Sequence, residues 1–196
     1  FYLSAFIIHF LISCVVASFA GIYAVIISQL LLFLFFGYVM IHRREKEKIA
    51  VFSLRNAIFY SFAFAGVMLA IFPLRFLIEA AAPALCVKFN IIAAFGPTGF
   101  GIKTLLYLLT YAAAMSFLLQ TALKEAREYG LAARILLCGA LFSLFSLNLP
   151  CMLSNFVIGG FLGFLSTRGP NILISLLYII FYRSLLFVID LYCFQV

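Results

Sequence analysis

The sequence predicts an all-α integral membrane protein, a polytopic bundle of six or seven transmembrane helices, and three observations carry that prediction. Of its 196 residues 67% are hydrophobic, only 10% are charged, and the mean hydropathy is +1.26. Soluble domains carry roughly a quarter charged residues, so lipid is the solvent that suits so much apolar side chain. The few charges gather in short clusters between long apolar runs, as loops at a membrane surface would hold them. No stretch is left over for a soluble domain, and one membrane domain over residues 1–196 is expected.

The segment Phe1–Ile41 has no charged side chain apart from the titratable His9 and is too long for one span. It divides near Ser18–Gly21 into helices at about 2–18 and 22–41. Phe1–Ala20 lacks the basic start of a signal peptide and runs into more apolar sequence, so it reads as a retained span. No Met leads the chain, which is expected to begin after processing or within a longer protein. The charge run HRREKEK (42–48) must lie outside the hydrocarbon. A third span at about 49–72 is expected to stop at Pro73.

Residues 73–103 are too polar to cross cleanly. PLRFLIEAAAPALCVKFN carries Arg75, Glu79, Pro83 and Lys88 and suits the interface. GPTGFG (Gly96–Gly101) fits either an interfacial turn or a re-entrant, broken helix. Further spans follow at about 104–123, 131–149, 151–166 and 171–192, separated by KEAREYG (Lys124–Gly130), the Asn148-Leu149-Pro150 break and STRGPN.

Orientation follows from the basic residues. With the 42–48 loop cytoplasmic, alternation gives that side nine: Arg43, Arg44, Lys46, Lys48, Arg55, Lys124, Arg127, Arg134 and Arg168. The other side holds three: Arg75, Lys88 and Lys103. This bias puts the N-terminus of a seven-span chain in the cytoplasm, and the expected address is a plasma membrane of the bacterial inner type. The net charge of +7 is accounted for by these loops and their attraction to anionic headgroups, with no need for nucleic acid.

The last span holds Arg183 and, seven residues on, Asp190. Both fall on nearly one face, about 10 Å apart along the axis. A charge at mid-bilayer costs about 2.5–3.5 kcal/mol on insertion scales, so Arg183 should face a bundle interior or a wet cavity. The two charges could form a substrate or ion site or half of a gating pair, with Glu79, Asn148 or Asn155 as partners for Arg183. The structural alternative is that Arg183 only satisfies backbone carbonyls or a neighbouring side chain, with Asp190 hydrated near the outer interface.

The candidate substrate-binding set is Arg183, Asp190, Glu79, Lys103, Gly96, Gly99 and Gly101. The glycine-rich run with Lys103 at a helix start suits a carboxylate or an anionic headgroup. It lacks the spacing of a Walker A loop. Gly159 and Gly163, with Gly160 beside them, have the GxxxG spacing that lets helices approach closely.

The remaining polar residues have simpler readings. His9, Gln29, Gln120, Asn148, Ser154 and Asn155 suit cross-helix hydrogen bonds worth about 0.6–2 kcal/mol each. Tyr38, Tyr107, Tyr129 and Tyr192 are placed as an interfacial belt. The five cysteines have no CxxC spacing and imply no disulfide framework. His9 and His42 cannot build a metal site, and no metal or cofactor is called for. No Ser–His arrangement, HExxH motif or facing pair of carboxylates suggests catalysis.

The function expected is transport or translocation, by a small permease or by the membrane subunit of a larger transporter. Its partners would be the lipid bilayer and, in the larger form, other membrane subunits or a cytoplasmic ATPase docking at Lys124–Gly130. In size and charge the chain is similar to the substrate-binding membrane components of vitamin uptake systems, a likeness of class without a diagnostic motif. Two other classes stay open. One is a non-catalytic assembly subunit that uses the GxxxG face as a contact surface and pairs Arg183 with another chain. The other is a lipid-processing enzyme built on Arg75, Glu79, Lys88 and Lys103.

Overall fold

Buried in lipid, a backbone must satisfy its own N–H and C=O groups, and for apolar runs of this length the helix does so. A computed structural model describes residues 1–42, 54–81, 101–147, 151–168 and 172–193, leaving aside the side chains at 54–57, 74–76, 78–79 and 189–193. The described residues form seven helices and no strand. They are α1 (Tyr2–Ala20), α2 (Ile22–His42), α3 (Leu54–Ala81), α4 (Ile102–Glu125), α5 (Leu131–Phe145), α6 (Met152–Arg168) and α7 (Ile172–Cys193). Three of them, α1, α2 and α4 with its continuation to Glu128, are long and apolar enough to cross a membrane.

Several expected boundaries move. The division of the first run falls at Gly21, whose φ of 59° suits a residue without Cβ; its N–H donates to the Ala17 carbonyl at 2.8 Å. Pro73 does not stop the third helix, which continues to Ala81. Proline removes one donor from the ladder, the bond toward the carbonyl of Leu69, and helices in an apolar setting tolerate that loss. The stretch expected to be irregular from 73 is therefore helical as far as Ala81, and Ile102 and Lys103 already belong to α4; residues 82–100 lie outside the described set. α5 ends at Phe145, short of 149, in a turn where Leu147 takes φ 48° and donates its N–H to Leu144 at 3.3 Å.

The chain gathers into two compact units, Phe1–Arg43 with Phe95–Leu118 and Ile172–Val196, and Arg44–Ala94 with Leu119–Asn171. In the first unit α1 and α2 form an antiparallel hairpin. Its open end is closed by Phe1 stacked on Phe35, ring centroids 4.8 Å apart, and Tyr2 on Phe36 at 5.9 Å. Nearer the bend, α1 widens into a π turn at Ile12–Val16, where Ala17 N–H reaches back to the Ile12 carbonyl. Ser13, in that turn, meets Ser28 of α2 at 2.9 Å. α2 and α4 run parallel: Lys103 lies over Tyr23, Thr110 bonds Gln29, and Phe117 packs edge-on against Phe33 at 4.9 Å, both sequences rising together.

The second unit is built on the α5–α6 hairpin. An ideal Cβ on Gly159 would land on Phe142 Cβ and 2.8 Å from the Cys138 carbonyl oxygen. One on Gly163 would stand 2.7 Å from Cys138 Cβ, and one on Gly139 would stand 2.7 Å from the Phe156 carbonyl oxygen. The two backbones thus meet at a separation only glycine permits. Ser143 Oγ donates to the Met152 carbonyl and Asn155 Nδ2 to Ser146 Oγ, both at 2.7 Å, across the same hairpin. Phe64 of α3 packs on Phe161 of α6 with centroids 5.8 Å apart.

Candidate functional site

Arg183 is the eleventh residue beyond the start of the 22-residue α7, roughly 17 Å along its axis. It is 5% exposed, and its Cζ lies 4.0 Å from the centroid of the Tyr111 ring on α4. A desolvated cation–π contact is worth about 2 kcal/mol, the same order as the cost of placing a charge at mid-bilayer. The ring thus recovers a large share of what burial takes. Tyr111 is 2% exposed and Tyr107, one turn before it, is 4% exposed. The two rings stack with centroids 6.2 Å apart at 29°.

Tyr107 is therefore turned into the helix packing rather than outward. Four-residue spacing puts it on the same inward face as Tyr111, while Leu105 and Leu106 point outward. Tyr38 and Tyr129 are 66% and 64% exposed, and Tyr192 lies outside the described side chains.

A string of hydroxyl and amide contacts crosses α1, α2 and α4 of the first unit. Thr110 Oγ1 donates to Gln29 Oε1 at 2.8 Å, or to its own helix at the Leu106 carbonyl, also at 2.8 Å. One residue earlier on α2, Ser28 meets Ser13, and Ser13 Oγ lies 3.4 Å from His9 Nδ1. His9 thus reaches α2 through Ser13. Serine and threonine were the part of this network that a search for large amides overlooks; Ser13, Ser28 and Thr110 are all buried.

The other site residues are distributed as follows. Lys103 stands exposed in the first turn of α4, its Nζ 5.2 Å from the Tyr23 ring centroid. Gly101, just before that helix, has open space where a Cβ would be. Gly96 and Gly99 lie outside the described residues. Glu79 lies on α3, in the second unit, and Asp190 on the last turns of α7; neither side chain is described. Asn148, an expected partner of Arg183, also lies outside the described residues. Asn155 belongs to the second unit and gives its amide to Ser146. Gly159 and Gly163 are filled by α5 of the same chain, so that face is not open to another protein.

The connector Lys124–Gly130 is a 3-10 turn at Ala126–Glu128 between α4 and α5. Arg134, from the first turn of α5, donates Nε to the carbonyls of Ala126 at 3.1 Å and Tyr129 at 3.0 Å, and Nη2 to that of Arg127. One guanidinium holds carbonyls that the end of α4 leaves open. The side chains of Arg127, Glu128 and Tyr129 remain exposed. No protein-family model, curated protein or solved structure compared with the chain matches it.

Proposed function

We propose that this chain is a polytopic membrane transport or translocation protein, a small permease or the membrane subunit of a larger one, with its solute path in the first unit. The observation that carries the reading is Arg183, a full charge held on an aromatic face halfway along an apolar helix. Ionisable residues within membrane-spanning segments are expensive there, and solute and ion pathways are among the places that hold them. The parallel run of α2 and α4 supports the polytopic arrangement. Two parallel spans need an odd number of crossings between them, and α3, with 28 residues, is long enough to make one. Counting α5 to α7 as crossings would bring the number to seven, and the nine-to-three distribution of basic loop residues favours an N-terminus in the cytoplasm of a bacterial-type inner membrane.

The ordered connector favours the multi-subunit form of this reading. Arg134 fixes the turn in advance, so a cytoplasmic ATPase docking on Arg127, Glu128 and Tyr129 would lose little loop entropy. The test is to purify the protein from its membrane and identify by mass spectrometry what accompanies it. That species is then offered to sealed proteoliposomes, with the copurified subunit and ATP where one is found. Accumulation inside vesicles with wild-type protein and not with Arg183→Leu supports transport. A folded protein that moves no solute in either form overturns it.

A further inference from the structure

α1 and α2 are joined by a hydrogen-bond string that can run in two directions. His9 is 4% exposed, and its Nδ1 lies 3.4 Å from Ser13 Oγ. Ser13 Oγ meets Ser28 Oγ at 2.9 Å, and Ser28 Oγ reaches the Val25 carbonyl at 2.7 Å. Each hydroxyl has one hydrogen to give. When Ser28 gives its hydrogen to Val25, Ser13 gives to Ser28 and an imidazole Nδ1–H gives to Ser13. When Ser28 gives to Ser13 instead, Ser13 gives to a bare Nδ1 and the Val25 carbonyl loses the serine. Either hydroxyl can donate across the 2.9 Å contact, and the ring takes either part according to its tautomer.

A proton on the ring decides between the two. Imidazolium carries a hydrogen on both nitrogens and can only donate, so it holds the string toward Val25. A neutral ring with its hydrogen on Nε2 holds the string the other way. The change needs one proton to pass from water to a ring nitrogen; the hydroxyls turn about their C–O bonds and no O–H bond breaks. Histidine is the side chain whose charge ordinarily changes between about pH 5 and 8, and ionisable groups inside membrane spans serve in proton relays. A charge-assisted N–H···O bond closes to about 2.7–2.9 Å, so the 3.4 Å contact has room to tighten. Ser13 sits in the π turn Ile12–Val16, a place where the α1 ladder is already loosened.

The helix packed against α1 and its π turn is α2. Beside His9, α1 brings the titratable groups Tyr2 and Cys14, and α2 brings Tyr23, Tyr38 and His42. Tyr38 and His42 stack on each other at the exposed end of α2. Neither helix holds an acidic side chain, a lysine or an arginine; the charged side chains of the unit, Arg43, Lys103, Arg183 and Asp190, all lie outside them.

We infer that His9 is a proton-binding site of the first unit, and that the hydroxyls of Ser13 and Ser28 carry its protonation state from α1 to the backbone of α2. The string ends beside Gln29, whose bond with Thr110 ties α2 to α4. Thr110 Oγ1 has a second acceptor at the same 2.8 Å, the Leu106 carbonyl, so that tie is also one of two choices. This inference stands apart from the transport reading and does not depend on it.

The test is nuclear magnetic resonance on the full chain in nanodiscs, with the histidine ring nitrogens and the valine carbonyls labelled and pH as the probe. His42→Gln, at the exposed end of α2, removes the other histidine signal. The His9 ring should titrate reversibly in the folded protein between about pH 5 and 8, and the Val25 carbonyl signal should move with the same midpoint. Ser28→Ala should abolish the Val25 response and change the proton dissociation constant of the ring by about threefold, the size of one lost hydrogen bond. Ser28→Thr, which keeps the hydroxyl, should preserve both. Should Ser28→Ala fail to fold, the wild-type and Ser28→Thr titrations still decide. A ring that keeps one protonation state across that range overturns the proton site. A ring that titrates without a response at Val25, or with the same response in Ser28→Ala, overturns the string.

Discussion

The two units hold their helices together differently. In the second, α5 and α6 meet through glycines so closely that Gly159, Gly163 and Gly139 have no space for a methyl group, and the hydroxyls and amide close on carbonyls or on one another across that contact. In the first, the polar groups join three different helices and a cation lies on a ring. A contact set by backbone shape tolerates no added atom. A contact set by polar side chains tolerates an apolar replacement of similar size, because a buried charge costs about as much as it returns. The difference teaches where to look for rigidity and where for chemistry, and substitutions can break or sharpen it.

The largest effect expected on stability is at Gly159. Gly159→Val forces Phe142 and the Cys138 carbonyl away and should cost about 3 kcal/mol or more, read as a lower midpoint in denaturant titration of the purified protein. Arg183→Leu should do the opposite. Uptake should fall to background while the unfolding midpoint stays or rises, since a well-packed apolar side chain replaces a buried charge. A collapse of folding there would make Arg183 a structural residue and remove the contrast between the units. Thr110→Val leaves shape nearly intact and deletes the bond to Gln29, for a loss of about 1 kcal/mol in the same titration. The smallest change is Gly66→Ala on α3, where nothing lies within 4 Å of the new methyl; a gain of about 0.5 kcal/mol is expected from the unfolded chain's lost freedom.

Helix existence was legible because an apolar run in lipid has one good solution. The Gly21 break was close to expectation for a local reason, a residue free to take positive φ. Pro73 misled because the rule that proline ends a helix belongs to water, where a freed carbonyl is readily solvated and the chain can turn away. Facing was the harder part. On a soluble helix the polar stripe tells outside from inside; here Leu105 looks outward and Tyr107 inward, and hydrophobicity does not separate them. The burial of Arg183 could be anticipated from its cost in lipid. Its companion Tyr111 could not, since the two are 72 positions apart in the chain and no pattern at helical spacing links them.

The π turn of α1 has a consequence for how the chain tolerates changes of length. A turn closed by Ala17 on Ile12 holds one residue more than an α turn, and the surplus is absorbed on the spot. Removing a single residue within Ile12–Val16 should therefore restore a continuous α ladder and leave the helix on either side aimed as before. The same deletion anywhere else in α1 would swing the later half by about 100° and carry its exposed apolar residues onto the hairpin partner. This short stretch is the joint at which the first helix can gain or lose a residue without changing which way it looks.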